Sequence, residues 1–337
     1  MSFRAPVDGD AATRRRWLVI AGVTALVLLD VILVVWVLGR PQTSEAGSQG
    51  PIPGAPSSDV TSGPDAGGGE TDPDAEPSDD PEAPAEIEPV ASAPATRILT
   101  ALNGDVAWRA TTGECPAATA SPEFSTDGGA SWTTTDATGP TGVTALQRII
   151  VSSADVAAMV GAAPDGCEPT LIRTYVAGDN YEDYPAEVAA AWHVDPADRA
   201  SVNAPGGVVE APCAAVVAIA AVSDVAAAVL CADGSVSTTT DAGAAWSTPV
   251  AVAGAQALAP TDGGFVVARL GGTVCAGVGI AVVDAAGAGA TDSGCLPVPG
   301  ELSALAGQVA VSDGEGTLWL WAGEALVRST DRGATWG

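Results

Sequence analysis

The side chains able to do chemistry in this 337-residue chain are few in kind. His193 is its single histidine, so a Ser-His-Asp relay would have to run through it, with Asp195 and Asp198 as the nearest acids. The chain contains no Gly-x-Ser-x-Gly elbow, no phosphate-cradling Walker loop and no His-Glu-x-x-His pair. With one His and no Cys-x-x-Cys spacing it offers no zinc set, and no cofactor motif accompanies them. Paired carboxylates hydrolyse a glycosidic bond only at a defined separation, and 41 acidic residues leave that choice open. The densest chemistry lies in 177–213, where Tyr181, Tyr184, Trp192 and His193 stand among Asp179, Glu182, Asp183, Glu187, Asp195 and Asp198. Aromatics set among charges compose a recognition surface, which makes those four the candidate binding residues. The competing reading is that Tyr184 stands in for a missing packing Trp and Trp192 plugs a gap between sheets.

Six cysteines (Cys115, Cys167, Cys213, Cys231, Cys275 and Cys295) form a second reactive set. Six allow fifteen pairings. Cys213 and Cys231 are symmetric about the turn Ser223-Asp224, and Cys275 and Cys295 about Asp284-Ala285-Ala286-Gly287, so each pair can face across a hairpin. Exclusion leaves Cys115 with Cys167.

These residues are positioned by a repeat. Ser125-Thr126-Asp127-Gly128-Gly129-Ala130-Ser131-Trp132 returns as Thr239-Thr240-Asp241-Ala242-Gly243-Ala244-Ala245-Trp246 and as Ser329-Thr330-Asp331-Arg332-Gly333-Ala334-Thr335-Trp336. The Asp can accept backbone N–H groups at a corner, and the Gly supplies the positive φ of a tight hairpin. The Trp then lands on the returning strand and can seal one sheet against the next. Weaker copies occur at Thr291-Asp292-Ser293-Gly294 and at Asp179-Asn180-Tyr181-Glu182-Asp183-Tyr184. The corners recur every ~40–60 residues, close to the repeat of a propeller blade. Asp105-Val106-Ala107, Asp155-Val156-Ala157 and Asp224-Val225-Ala226 each open an apolar run in the same rhythm.

The motif resembles the Asp-box of sialidase-type (BNR) repeats, which closes the last hairpin of a β-propeller blade. The resemblance covers 96–337. It implies an all-β propeller of about five blades, with Asp127, Gly129, Trp132, Asp241, Gly243, Trp246, Asp292, Gly294, Asp331, Gly333 and Trp336 as structural box residues. Strand-like runs at 97–102, 106–109, 145–151, 216–222, 265–270, 279–283 and 318–321 fit that class, with one helical turn near 186–192. The last return strand is very short, so the N-terminal segment near 87–102 is expected to complete the final blade.

Sialidases carry Arg-Ile-Pro in the first strand, three arginines on the substrate carboxylate and a late Tyr nucleophile. Here Arg97-Ile98-Leu99 matches two positions of three, and Tyr175, Tyr181 and Tyr184 all fall early. Arg328 and Arg332 flank a box, on the rim remote from where sialidases react, which leaves Arg148, Arg173, Arg199 and Arg269 as clamp candidates. The head is as similar to the non-catalytic propellers of the photosystem II assembly-factor and sortilin types, which bind polypeptides.

Composition and the N-terminus supply the address. Thirteen basic residues against 41 acidic ones give a net charge of −28, which excludes nucleic-acid binding through phosphates. Arg14-Arg15-Arg16 precedes an apolar run over 17–38, long enough for the ~20 residues of a membrane-spanning helix and lacking a cleavage site. The arginines ahead of it place 1–16 in the cytoplasm and the head outside. Asp30 within the run reads as a protonated residue or as the contact of a membrane partner. Residues 39–95, rich in Pro, Gly, Ser and acid, predict a disordered linker. The expected protein is a single-pass, membrane-anchored, non-catalytic scaffold for a protein or glycan. A cell-surface exo-glycosidase is the alternative.

Overall fold

The computed structural model describes residues 88–272 and 275–337. The spans 1–16 and 17–38, with Asp30, and most of 39–95 lie outside them. No helix of the described residues is long and apolar enough to cross a membrane.

Short apolar runs ended by Gly, Asp or Ser fold into six consecutive antiparallel sheets. Sheet 1 comprises β1 (Arg97–Ala101), β2 (Ala107–Thr111), β3 (Glu123–Ser125) and β4 (Thr133–Thr134). Sheet 2 comprises β5 (Thr144–Val151), β6 (Ala157–Ala162), β7 (Pro169–Thr174) and β8 (Glu182–Asp183). Sheet 3 has only β9 (His193–Asp195), β10 (Asp198–Ala204) and β11 (Gly207–Glu210). Sheet 4 is β12 (Val216–Ala221), β13 (Ala227–Cys231), β14 (Ser235–Thr239) and β15 (Val250–Ala251). Sheet 5 is β16 (Ala255–Thr261), β17 (Gly264–Leu270), β18 (Gly277–Asp284) and β19 (Ala290–Pro297). Sheet 6 is β20 (Val309–Gly314), β21 (Thr317–Ala322) and β22 (Ala325–Ser329). Second strands such as β6 and β13 are buried along their whole length, which is why they read as unbroken apolar runs.

Each sheet packs on the next, and β20 packs on β1, so the six close into a ring. Strands β1, β5, β12, β16 and β20 line a central channel of about 280 Å³. The fold is a six-bladed propeller, not one of about five blades. The extra blade is sheet 3, whose β9–β11 carry no box motif to announce them.

The three strong motifs form one and the same turn. Ser125 Oγ donates to Asp127 Oδ1 at 2.8 Å and accepts Gly129 N at 2.9 Å, while Ser131 N donates to Asp127 Oδ1 at 2.9 Å. Thr239, Asp241, Gly243 and Ala245 repeat the pattern, as do Ser329, Asp331, Gly333 and Thr335. Both central positions are left-handed, including Ala242 and Arg332, as a tight primed hairpin demands. Each Trp seals its sheet against the preceding one: Trp246 Nε1 donates to Glu210 O at 3.1 Å and Trp336 Nε1 to Cys295 O at 3.0 Å. Trp132 meets Trp319 edge-on at 6.5 Å.

Two weaker copies are displaced from their expected places. In sheet 2 the corner is Thr174 to Tyr181: Gly178 N donates to Thr174 Oγ1 at 2.9 Å, so Val176 occupies the Asp position and Asp179 lies beyond it. Tyr181, not Tyr184, takes the Trp place, and its hydroxyl pairs with Thr135 Oγ1 of the preceding blade at 2.6 Å. Asp292 and Gly294 are not at a corner but within β19. The corner of sheet 5 is at Asp284, whose Oδ1 accepts Ala286 N and Ala288 N. Asp292 instead pairs with Arg269 at 2.8 Å, and Gly294 is bare because Gly333 O lies 2.2 Å from where a Cβ would stand.

The N-terminal segment does not complete the final blade. β1 is the innermost strand of its own sheet, and Gly337 instead exchanges backbone bonds with Arg328 of β22. Sheets 6 and 1 join through side chains: Arg97 stacks on Trp321 at 4.3 Å, and Arg109 lies 4.1 Å from the Trp132 ring and 4.9 Å from Trp321. Residues 88–96, of which 88–95 were expected to be linker, are strapped across the face opposite the Asp turns. Val90 N donates to Leu270 O, Ser92 Oγ to Ala255 O and Thr96 N to Gly307 O. Gln256, buried beneath the strap, donates to Val90 O and Ala91 O.

The three disulfides are Cys115–Cys167, Cys213–Cys231 and Cys275–Cys295. Cys115, Cys167 and Cys275 stand on loops between second and third strands, on the face opposite the Asp turns.

These turns carry an acid-stability prediction. The Ser131 hydroxyl and N–H hold Asp127 at about 2, the Thr335 hydroxyl and N–H hold Asp331 at about 2, and the Ala245 N–H lowers Asp241. The folded values lie below the unfolded ~3.9. Their contribution is therefore complete above pH ~4 and is lost as pH falls towards 2. The melting temperature is expected to drop over that window. A double Asp127→Asn, Asp331→Asn variant should start lower at neutral pH and show a flatter acid limb. Parallel acid limbs for the variant and the native chain would contradict the assignment.

Candidate functional site

Sheet 3 is short where its neighbours are long. Its inner strand has three residues, and none of the described residues of the sheet lines the channel. The shortfall leaves a groove of about 580 Å³ between sheets 2 and 4, on the face that bears the Asp turns. Arg148, Ile150 and Ala221 line both groove and channel, so the two spaces adjoin.

Trp192 forms the floor. Its side chain is 3% exposed, and its Nε1 donates to Ser223 O at 2.8 Å, which props up the β12–β13 turn. Arg148 Nη1 donates to Trp192 O at 2.7 Å. Burial lowers Arg148 to about 10, and no carboxylate among the described residues pairs with it.

One wall is an aromatic cluster. Arg173 Nη2 donates to Glu187 Oε2 at 2.7 Å and its Nη1 to the Tyr175 hydroxyl at 3.0 Å. Its guanidinium lies 4.9 Å from the Tyr184 ring, and Tyr184 meets Tyr175 edge-on at 6.5 Å. The Arg173 bond lowers the Tyr175 phenol, and the bond to Tyr175 raises Arg173. The opposite wall is the turn Val222-Ser223-Asp224. Both lips are apolar and open: Tyr175 is 49% exposed and Val222 59%, with Val176 and Val225 beside them. Of the five strongly exposed large apolar side chains among the described residues, only Val208 lies elsewhere.

The four residues singled out from the sequence are therefore split. Tyr181 (3% exposed) serves the sheet 1–sheet 2 seam, and Trp192 floors the groove. His193 is 5% exposed, with Nδ1 2.9 Å from Ala191 O, and burial lowers its pKa. A recognition surface needs exposed side chains, and these three are buried: Tyr181 as the plug between sheets 1 and 2, Trp192 and His193 because short sheet 3 has little else to fill its core. Tyr184 does not line the groove but packs behind its wall, against Arg173 and Tyr175. Of the exposed lip residues, Tyr175 borders the stretch 177–213 singled out from the sequence, while Val176, Val222 and Val225 were missed. Val222 and Val225 read as ordinary strand residues, and only their place beside a turn signal, Ser223-Asp224, hinted at exposure.

The clamp arginines are dispersed. Arg269 is paired with Asp292, and Arg199 donates to Val216 O at 3.2 Å. Only Arg148 and Arg173 share the groove. Arg97, in the partial Arg-Ile-Pro match, is tied to Gly323 O and Trp321 at the sheet 6–sheet 1 seam.

No described protein family and no curated protein matches the chain. Solved structures similar to it include YCF48 from Cyanidioschyzon merolae, at 15% identity over 76% of this chain and 86% of that one, with a TM-score of 0.39. AofleA from Arthrobotrys oligospora is 11% identical over 75% of this chain and 86% of that one, with a TM-score of 0.43. The WD40 β-propeller domain of Doa1 is 11% identical over 74% of this chain and all of that one, with a TM-score of 0.40. The propeller assignment itself rests on the closed ring of six sheets.

Proposed function

We propose that this chain is a membrane-anchored scaffold whose Asp-box propeller stands outside the cytoplasm and binds a protein partner, without catalysis, in the groove above sheet 3. The observation that carries this reading is the concentration of exposed apolar side chains on both lips of one groove, where four of the five large ones exposed among the described residues lie. Isolated exposed apolar residues are ordinary, whereas clustered ones around a concavity mark interaction sites. Three disulfides support an oxidising compartment, and the apolar run 17–38 supplies the anchor. A photo-reactive phenylalanine analogue in place of Val222, in the full chain in its native membranes, is expected to cross-link to a polypeptide. The same analogue in place of Val208 is the control. Equal cross-linking from both positions, or none from Val222, would overturn the groove. A mature N-terminus between residues 39 and 95 would overturn the anchor.

The glycosidase reading draws on Arg148, Arg173, Tyr175, Glu187 and Asp224 lining one groove. Against it, Arg173 is already occupied by Glu187, and the groove opens on the Asp-turn face, remote from where sialidases react. Release of fluorophore from an aryl sialoside, abolished by Tyr175→Phe, would reverse that preference.

A further inference from the structure

We infer that the groove's partner is a polypeptide segment that alternates apolar and basic side chains. The inference rests on the groove reading above and specifies the chemistry that fits it. The lips present Tyr175 and Val222 for apolar contact. Asp224 lines the sheet 4 side of the groove, and three more exposed carboxylates belong to the sheet 2 corner that bears Tyr175: Asp155, whose backbone O accepts Ala177 N, Asp179, and Glu182, which stands opposite Arg173 in the β7–β8 register. None of the four is in an ion pair among the described residues. Arg173, the one base on the lips, is neutralised by Glu187, and Arg148 lies on the floor with Nη1 committed to Trp192 O.

The lip is thus apolar at its edge and negative around it. The net charge of the whole chain, −28, has the same sign. Complementary potential selects partners and speeds encounter, while apolar anchors supply the retention. A segment with both features satisfies the groove, whereas an acidic one is repelled by four carboxylates before it reaches Arg148. A glycan is disfavoured by lips made of valines beside a single exposed tyrosine ring.

The test uses the full chain in detergent micelles and three labelled peptides of equal length, alternating Val-Lys, Val-Glu and Ser-Lys, read by fluorescence anisotropy. The Val-Lys peptide is expected to bind best, and its affinity to fall as salt rises. Tyr175→Ser with Val222→Ser is expected to weaken it by roughly tenfold or more. Asp155→Asn with Asp224→Asn should weaken it similarly and flatten the salt dependence. Val208→Ser and Glu315→Gln, both remote from the groove, should leave it unchanged. Tighter binding of Val-Glu would assign the site to Arg148 and overturn the inference. Equal binding of Ser-Lys would reduce it to non-specific attraction and overturn it as well. Absence of Val-Lys binding while the Val222 cross-link persists overturns the partner chemistry alone. Loss of both overturns the groove.

Discussion

Replacing Trp319 by alanine is expected to lower the stability of the propeller by about 3–5 kcal/mol, the range for a large aromatic side chain removed from a core. Trp319 is 0% exposed and stands where the first and last sheets meet. Its ring contacts Trp132 edge-on and lies 5.3 Å from the Arg328 guanidinium, and its Nε1 donates to Asn103 O at 3.0 Å. It also presses on the Asp turn of sheet 1, since a Cβ at Gly129 would lie 3.0 Å from its ring. No strand is exchanged between sheets 6 and 1, so this seam depends on side chains, and a cavity there loosens the ring at its closure. Urea unfolding followed by fluorescence would show a lower midpoint at unchanged slope. Trp132→Ala, from a half-buried position, should cost less. A loss below about 1 kcal/mol for Trp319→Ala would mean that the ring is closed by something other than this seam.

The second large effect is expected from Cys115→Ser with Cys167→Ser. That bridge spans 52 residues and ties a loop of sheet 1 to a loop of sheet 2, whereas the other two span 18 and 20. In the chain-entropy picture the longer closure is worth about 4 kcal/mol and the shorter ones about 3 kcal/mol each. The three double variants, unfolded side by side without reductant, should rank in that order. If the 115–167 pair proves the cheapest to remove, constraint of the unfolded chain is not what these bonds contribute.

Much of the architecture was legible because it is locally encoded. The turn Ser125 to Trp132 contains its own acceptor, its own left-handed positions and its own plug, so its geometry follows from eight consecutive residues. Cys213–Cys231 and Cys275–Cys295 were legible because each pair flanks a single hairpin, although the register sets Cys231 opposite Val216 and Cys295 opposite Gly279. The reading failed where a motif was imperfect. At Asp292-Ser293-Gly294 the letters of the box occur inside a strand, and only the register of β18 with β19 shows that the corner lies earlier, at Asp284. In sheet 4 the echo Asp224-Val225-Ala226 is one residue out of step, because β13 begins at Ala227 where β2 begins at Ala107 and β6 at Ala157.

What the amino-acid sequence determined alone is the all-β class, the three strong turns, the disulfide pairing and the acidic character of the molecule. Each depends on residues close in the chain or on composition, except Cys115–Cys167, which follows by exclusion once the two hairpin pairs are assigned. What only the tertiary structure decided is the blade number, the closure of the ring and the identity of the groove. A blade without a box is invisible until its strands pair. The Arg97, Arg109, Trp319 and Trp321 seam joins segments more than two hundred residues apart. Exposure was the hardest property to foresee, because the same aromatic composition serves a core or a surface. Trp192 and His193 were drawn inward by the unfilled space of a three-stranded sheet, and Tyr175 and Val222 were left outside because the strand that would have covered them is too short.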